Sequence, residues 1–235
     1  MSNSINLQEI NPDGAVSEAY EEALDGLPKG DTRASFLRKS AIAGGAAVSG
    51  GALLGAFTPS ALAAGGGRPP KSFGKGDVGI LNYALTLEYL EAAFYNGATA
   101  ANMSLNSQTA AFLKITTRDE NAHVAFLKKA LGSKAAKEPT FNFKGANTSP
   151  EMFMKTAQVL ENTGVHAYSG QALNIKSAAY VKAAISILTI EARHASVIGL
   201  LNDPTGEMIA PNGPFDTPLT AAAVLSAVKG TGFIV

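Results

Sequence analysis

From Asp77 onward, apolar residues recur at helical spacing. In "DVGILNYALTLEYLEAAFYNGATAAN", Ile80, Tyr83, Leu87, Leu90 and Phe94 fall on one stripe, and Asp77 stands where a helix start is capped. A second helix is predicted from about Asn106 to Leu131, with Gly132 as its stop. Residues 132–149 hold no sustained period and read as a long irregular crossover. Ser149-Pro150-Glu151 combines a capping serine, a proline in the first turn and an acid beside it, so a third helix starts there and runs to about Ala172. Ser177 opens a fourth, which ends before Pro204, and a short helix is expected near 217–229. No run alternates convincingly as a strand. The expected fold is all-α: a four-helix bundle with a long crossover between helices 2 and 3 and a short C-terminal helix at residues 77–235.

The first third follows a different pattern. Residues 1–31 are polar and acidic, with seven acids against one lysine. Arg33, Arg38 and Lys39 then precede an uncharged run from Ser40 to Gly67, and Ala61-Leu62-Ala63 offers a small-x-small cleavage site. This is the layout of an export signal with an extended polar N-region, spanning 1–63, followed by a linker at 64–76. "RASFLRK" resembles a twin-arginine element but has Ala34 where a second arginine belongs, so the route is open while export itself is expected. The protein would be periplasmic or extracellular after cleavage near Ala63; retention of the run as a membrane anchor is the alternative.

The helices repeat. "LEYLEAAFYNG" (87–97) aligns with "LENTGVHAYSG" (160–170), and "DENAHVAFL" (119–127) with "IEARHASVI" (190–198). Glu88 thereby matches Glu161, Tyr95 matches Tyr168, Glu120 matches Glu191 and His123 matches His194. One helix hairpin is used twice. At a rise of about 1.5 Å per residue, Glu88 and Glu120 each lie roughly 20 Å from the same end of their hairpin, and the second hairpin repeats that depth. Four carboxylates and two imidazoles therefore converge at one level of the bundle.

Composition narrows what such a cluster can be. Apolar residues make up 46% of the 235 and charged ones 16%, so a large core is expected and the acids inside it stand out. Formal charge is zero, which gives no reason to expect nucleic acid. There is no cysteine, which excludes disulfides, thiolate metal sites and cysteine nucleophiles, and suits an oxidising compartment. Four buried carboxylates cannot stay ionised together without cations. Two divalent ions balance them, and oxygen and imidazole donors without sulfur suit iron or manganese, with zinc also compatible. The expected metal ligands are Glu88, Glu120, His123, Glu161, Glu191 and His194.

One glutamate from each of two helices and Glu-x-x-His from each of the other two is the arrangement of the ferritin-like di-metal proteins. On "LNYALTLEYLEAAFY", "DENAHVAFLKKAL", "LENTGVHAYSGQA" and "IEARHAS", the chain resembles the ferritin-like superfamily. Within it, the chain looks like secreted ferritin-like proteins related to the desiccation-associated protein of resurrection plants. The resemblance spans about 77–230. It implies that Glu120 and Glu191 bridge two metals and that Glu88, Glu161, His123 and His194 are terminal ligands. It also implies redox chemistry with dioxygen or peroxide, in a possible di-metal oxidoreductase. The other reading is a non-catalytic envelope or desiccation-protective protein whose metal site is structural or vestigial. Expected partners are metal ions, dioxygen or peroxide, and the export machinery.

Several neighbours have two readings. Glu91, one turn after Glu88, could replace it as a ligand, but the repeat places Gly164 opposite, which favours a solvated or outer carboxylate. His166 lies about 140° around the helix from Glu161, off that face. Tyr95 and Tyr168 lie about 10 Å along the axis from their glutamates and read as core residues with bonded hydroxyls. Asp119, four residues before His123, either holds its ring nitrogen or is an exposed acid.

Overall fold

The computed structural model describes residues 67–235. The expected export signal at 1–63, and the anchor alternative, lie outside the described residues. Among those described there are five α-helices and no β-strand: α1 (Gly76–Ala100), α2 (Ser107–Leu131), α3 (Pro150–Gln171), α4 (Ala178–Asn202) and α5 (Ala221–Thr231). The first four form an all-α, ferritin-like four-helix bundle.

Local chemistry sets most boundaries where the sequence pattern put them. Asn106 caps α2, its side-chain oxygen accepting from the Thr109 N–H at 2.8 Å, and Gly132 ends it with a φ of 57°. Ser177 and Thr220 cap α4 and α5 in the same way. Ser149 precedes Pro150 as expected, but its side chain makes no capping bond. Asp77 departs from expectation. Helix α1 begins one residue earlier, and the Asp77 carboxylate reaches instead to the N–H groups of Lys176 and Ser177, at 3.0 and 2.9 Å. It thus ties the start of α1 to the turn between α3 and α4.

Helix α1 packs most extensively on α2, and α3 on α4. The first pair is antiparallel: Asn96 bonds Asn121, and Thr99 bonds Thr117. The crossover 132–149 runs over one side of the bundle and inserts Phe143 into the core, edge-on to Phe94 at 5.4 Å. The C-terminal residues lie along it. Asn142 N–H donates to Phe233 O, Val235 N–H donates to Thr140 O, and Phe141 and Ile234 form an isolated bridge. Helix α5 buries Ala221, Val224 and Val228. The segment leading to it runs so close to α3 that a side chain at Gly170 would collide with the Leu219 carbonyl. Residues ahead of α1 are also held down: Gly67 O accepts from Gln171 Nε2 and Ala221 N, and Arg68 Nη2 donates to Asn174 O.

Two apolar clusters divide the core lengthwise. One end is an aromatic plug of Phe94, Tyr95, Phe112 and Phe153, with Phe94 stacked on Phe153 at 5.6 Å. The other end is mostly aliphatic, built from Leu81, Leu85, Leu127, Leu131 and Ile187 with Tyr89 and Tyr168. The polar cluster lies between them.

Candidate metal centre

All six residues singled out by the repeat meet at this level. Glu88, Glu120, Glu161 and Glu191 have no solvent exposure, and His123 and His194 are buried. Their atoms fall into two sets. Around His123 Nδ1 lie Glu120 Oε2 at 3.1 Å, Glu88 Oε2 at 3.2 Å and Glu191 Oε1 at 3.3 Å. Around His194 Nδ1 lie Glu120 Oε1 at 3.1 Å and Glu161 Oε2 at 3.2 Å, with Glu191 again in the group. Glu120 and Glu191 are common to both sets.

Hydrogen bonding alone does not account for this. A ring N–H carries one proton and satisfies one acceptor, yet His123 Nδ1 faces three carboxylates. Oxygens Glu88 Oε2, Glu120 Oε1, Glu161 Oε2 and both of Glu191 are buried without a hydrogen-bond partner, as is His194 Nδ1. A buried, unpaired polar atom costs about 1–3 kcal/mol, so this many on one spot is untenable without a further partner. The spacing fits a cation. Metal–ligand bonds of about 2.1 Å put neighbouring ligands roughly 3.0 Å apart in an octahedron and 3.4 Å in a tetrahedron.

The glutamates are oriented by role. Tyr168 of α3 donates its hydroxyl to Glu88 Oε1 of α1, and Tyr95 of α1 donates to Glu161 Oε1 of α3. Each tyrosine therefore fixes the glutamate of the opposite helix, not its own, which requires α1 and α3 to run antiparallel. One oxygen of each of these glutamates is occupied and the other faces the cluster. Glu120 has no such clamp and presents one oxygen to each imidazole. The tyrosines stay protonated: burial, and then the carboxylates they serve, push both hydroxyls well above the ordinary phenol range.

Charge in the cluster is strongly coupled. Burial and neighbouring carboxylates hold Glu191 well above the usual range. Burial also lifts Glu120, to about 7, although both imidazoles pull it down. Glu88 moves the other way: burial is outweighed by His123. Burial disfavours the charged form of His194, yet Glu120 and Glu161 overcome it and push the group up to about 11; His123 rises for the same reason beside Glu120, Glu191 and Glu88. A point that draws protons this strongly also draws metal cations.

Asp119 departs from its sequence readings and Glu91 from the solvated one, while His166 lies off the cluster as expected. Glu91 is not solvated: it is buried, its Oε1 lacks a partner, and burial with four surrounding carboxylates raises it well above its ordinary value. Gly164 makes room for it. The position of an alanine side chain at 164 would fall 3.4 Å from Glu91 Oε1 and collide with Glu191 Oε2. Asp119 holds His194 of α4, Oδ2 to Nε2 at 3.3 Å, and not His123 on its own helix; Arg118 in turn grips Asp119 at 2.7 Å. His166 lies away from the cluster, bonded to Asp216 and Asn212 in the segment after α4.

Asp119 orients the His194 ring and favours the tautomer that leaves Nδ1 free to bind metal. Replacing it by asparagine is expected to weaken metal binding about 10- to 100-fold. A competitive chelator titration checks this, and an unchanged affinity would show that the contact is incidental.

Comparison with known proteins agrees with this geometry. A family model described as a ferritin-like domain matches residues 76–203, the span from the start of α1 to just past α4. No curated protein matches the chain significantly. The match covers more than half of the chain and every residue of the cluster, and the chain belongs to the ferritin-like domain family.

Proposed function

We propose that this is an exported ferritin-like protein whose bundle core holds two divalent metal ions, iron or manganese, for redox chemistry with dioxygen or peroxide. The observation that carries the reading is the pair of ligand sets sharing Glu120 and Glu191 and lined by unpartnered oxygens. When bound, such a metal pair would supply electrons to an oxidant. Export is supported by the basic cluster and uncharged run of the first 67 residues. Kinship with the desiccation-related proteins rests on the segments around the six ligands.

The chain's own residues would divide the work as follows. Glu120 and Glu191 would bridge the ions, and Glu88, Glu161, His123 and His194 would complete the two ligand sets. Tyr95 and Tyr168 hold one oxygen of each terminal glutamate, which keeps the other aimed at the cluster. Asp119 fixes the His194 ring. Glu91 is buried beside Glu191 and Gly164, where burial and the surrounding carboxylates hold its carboxyl well above the usual range in the metal-free protein, which suits it to proton transfer. The aromatic plug keeps water from one end of the site.

The test uses protein recovered from outside the cytoplasm, loaded anaerobically with ferrous ions and mixed with dioxygen or peroxide. An absorbance rise from oxidised iron is expected. Iron that binds and stays ferrous would contradict the redox reading and leave a structural role for the metal; failure to bind would contradict both.

A further inference from the structure

The end of the bundle opposite the aromatic plug is not fully packed. A cavity of about 30 Å³ lies among all four long helices, walled by Tyr83, Ala84, Leu87, Tyr168, Ala184 and Ile187. It adjoins the metal centre. Leu87 precedes Glu88, Ile187 is one helical turn before Glu191, and Tyr168 is the residue that donates to Glu88. Outside it, between α2 and α4, runs a surface groove of about 670 Å³. Cavity and groove share Phe126, Tyr180, Ala183 and Ile187, so these side chains are what stands between them.

The chemistry of the wall identifies what it takes. A buried water needs about two to four polar partners. Tyr168 is committed to Glu88, and both polar ends of Gln171 are engaged, by Gly67 and Asn174. Tyr180 is half-buried and also lines the outer groove, which leaves the Tyr83 hydroxyl, 1% exposed and unpartnered, as the one enclosed with the cavity. One hydroxyl cannot hold a water, and apolar cavities of this kind stay dry and accept nonpolar guests. One water-sized atom needs about 10–15 Å³ of such space, so the cavity admits a molecule of two or three heavy atoms and excludes an acyl chain.

From this, the geometry points to a binding site and access path for a small nonpolar molecule, dioxygen, reaching the centre between α2 and α4 past Phe126 and Ile187. The identity of the guest as dioxygen rests on the redox function proposed above; the nonpolar site itself does not.

Xenon is the probe, because it reports the site without metal or turnover. Xenon-pressurised crystals of the protein are expected to show an atom between Tyr83 and Ile187, with or without metal. Ala184→Val places added methyl groups in the cavity and should remove that atom. In ferrous-loaded protein it should slow oxidation by dioxygen roughly tenfold while ferrous affinity is unchanged. Phe126→Ala trims a half-exposed side chain at the mouth and should leave xenon bound and oxidation as fast or faster. Absence of xenon from the unaltered protein would overturn the site. Xenon lost in Ala184→Val with undiminished oxidation would overturn the path. If the unaltered protein binds xenon but never oxidises iron, the redox function fails and the nonpolar site stands.

Discussion

Replacing Glu191 by alanine is expected to abolish binding of both metals while leaving the metal-free bundle folded. Glu191 belongs to both candidate ligand sets, so in the proposed two-metal centre its loss would take a ligand from each ion at once. Removing a residue that only orients a ligand costs about 10- to 100-fold in affinity, and a shared ligand should cost more. Stability of the metal-free protein responds differently. Trimming a large buried side chain to alanine leaves a cavity that costs about 2–5 kcal/mol. Against that, both oxygens of Glu191 are buried without partners, and each such atom costs about 1–3 kcal/mol. The two effects nearly cancel, so the variant's metal-free stability should lie within about 2 kcal/mol of the parent. Chemical denaturation of both proteins in chelator checks this. Unfolding of the variant would mean that the polar cluster itself holds the bundle together.

The second large effect is thermal. Metal saturation should raise the melting temperature, and the rise should be larger at pH 8 than at pH 6. At a hundredfold excess over Kd, each site contributes about 2.7 kcal/mol, or roughly 5–10 °C for a chain of this size. The pH dependence follows from the groups that share the site. In the metal-free protein, Glu191 and Glu91 are held above the usual carboxylate range and Glu120 is lifted to about 7. The folded state therefore keeps protons that the unfolded chain releases above about pH 4.5, and stability falls as pH rises. His194, pushed up to about 11, acts in the same direction: its contribution is complete below about pH 6.5 and is lost as pH rises through 11. Glu88 is lowered and opposes this only in acid, where its stabilisation disappears as pH falls below about 4.5. Metal binding displaces the same protons, so affinity rises with pH while metal-free stability declines. Melting curves with and without metal at the two pH values test this. A rise in melting temperature that narrows toward pH 8 would contradict it.

Much of this site is legible in the sequence because helix geometry converts spacing into depth. Glu88 and Glu120 lie equally far from one hairpin end, and the internal repeat assigns the same depth to Glu161 and Glu191. What spacing does not encode is direction across the bundle. Tyr95 was readable as a core residue with a bonded hydroxyl, but its acceptor is Glu161 on another helix. Asp119 has His123 one turn away, yet it reaches His194 on α4. Asp77 serves a turn a hundred residues on instead of its own helix start.

Glu91 is the most instructive departure. Gly164 at the matching position of the repeat argues, by symmetry, that Glu91 is not a ligand but a solvated or outer carboxylate. In the folded chain that glycine is what admits it, since a side chain at 164 would occupy the space that Glu91 and Glu191 share. A large polar residue matched to a glycine in the other half of a repeat is a sequence signal of an asymmetric site, and here it was present. The repeat is also broken at Asp119, whose counterpart is Ile190. Both additional carboxyls come from the first hairpin, so the two metal positions would differ in their surroundings.

The central claim is a two-metal centre built from six side chains. Elemental analysis of the purified mature protein, beside the Glu191→Ala variant, tests it most directly. Two iron or manganese ions per chain in the parent and none in the variant is the predicted result; a parent without metal, or the same content in both, would contradict it.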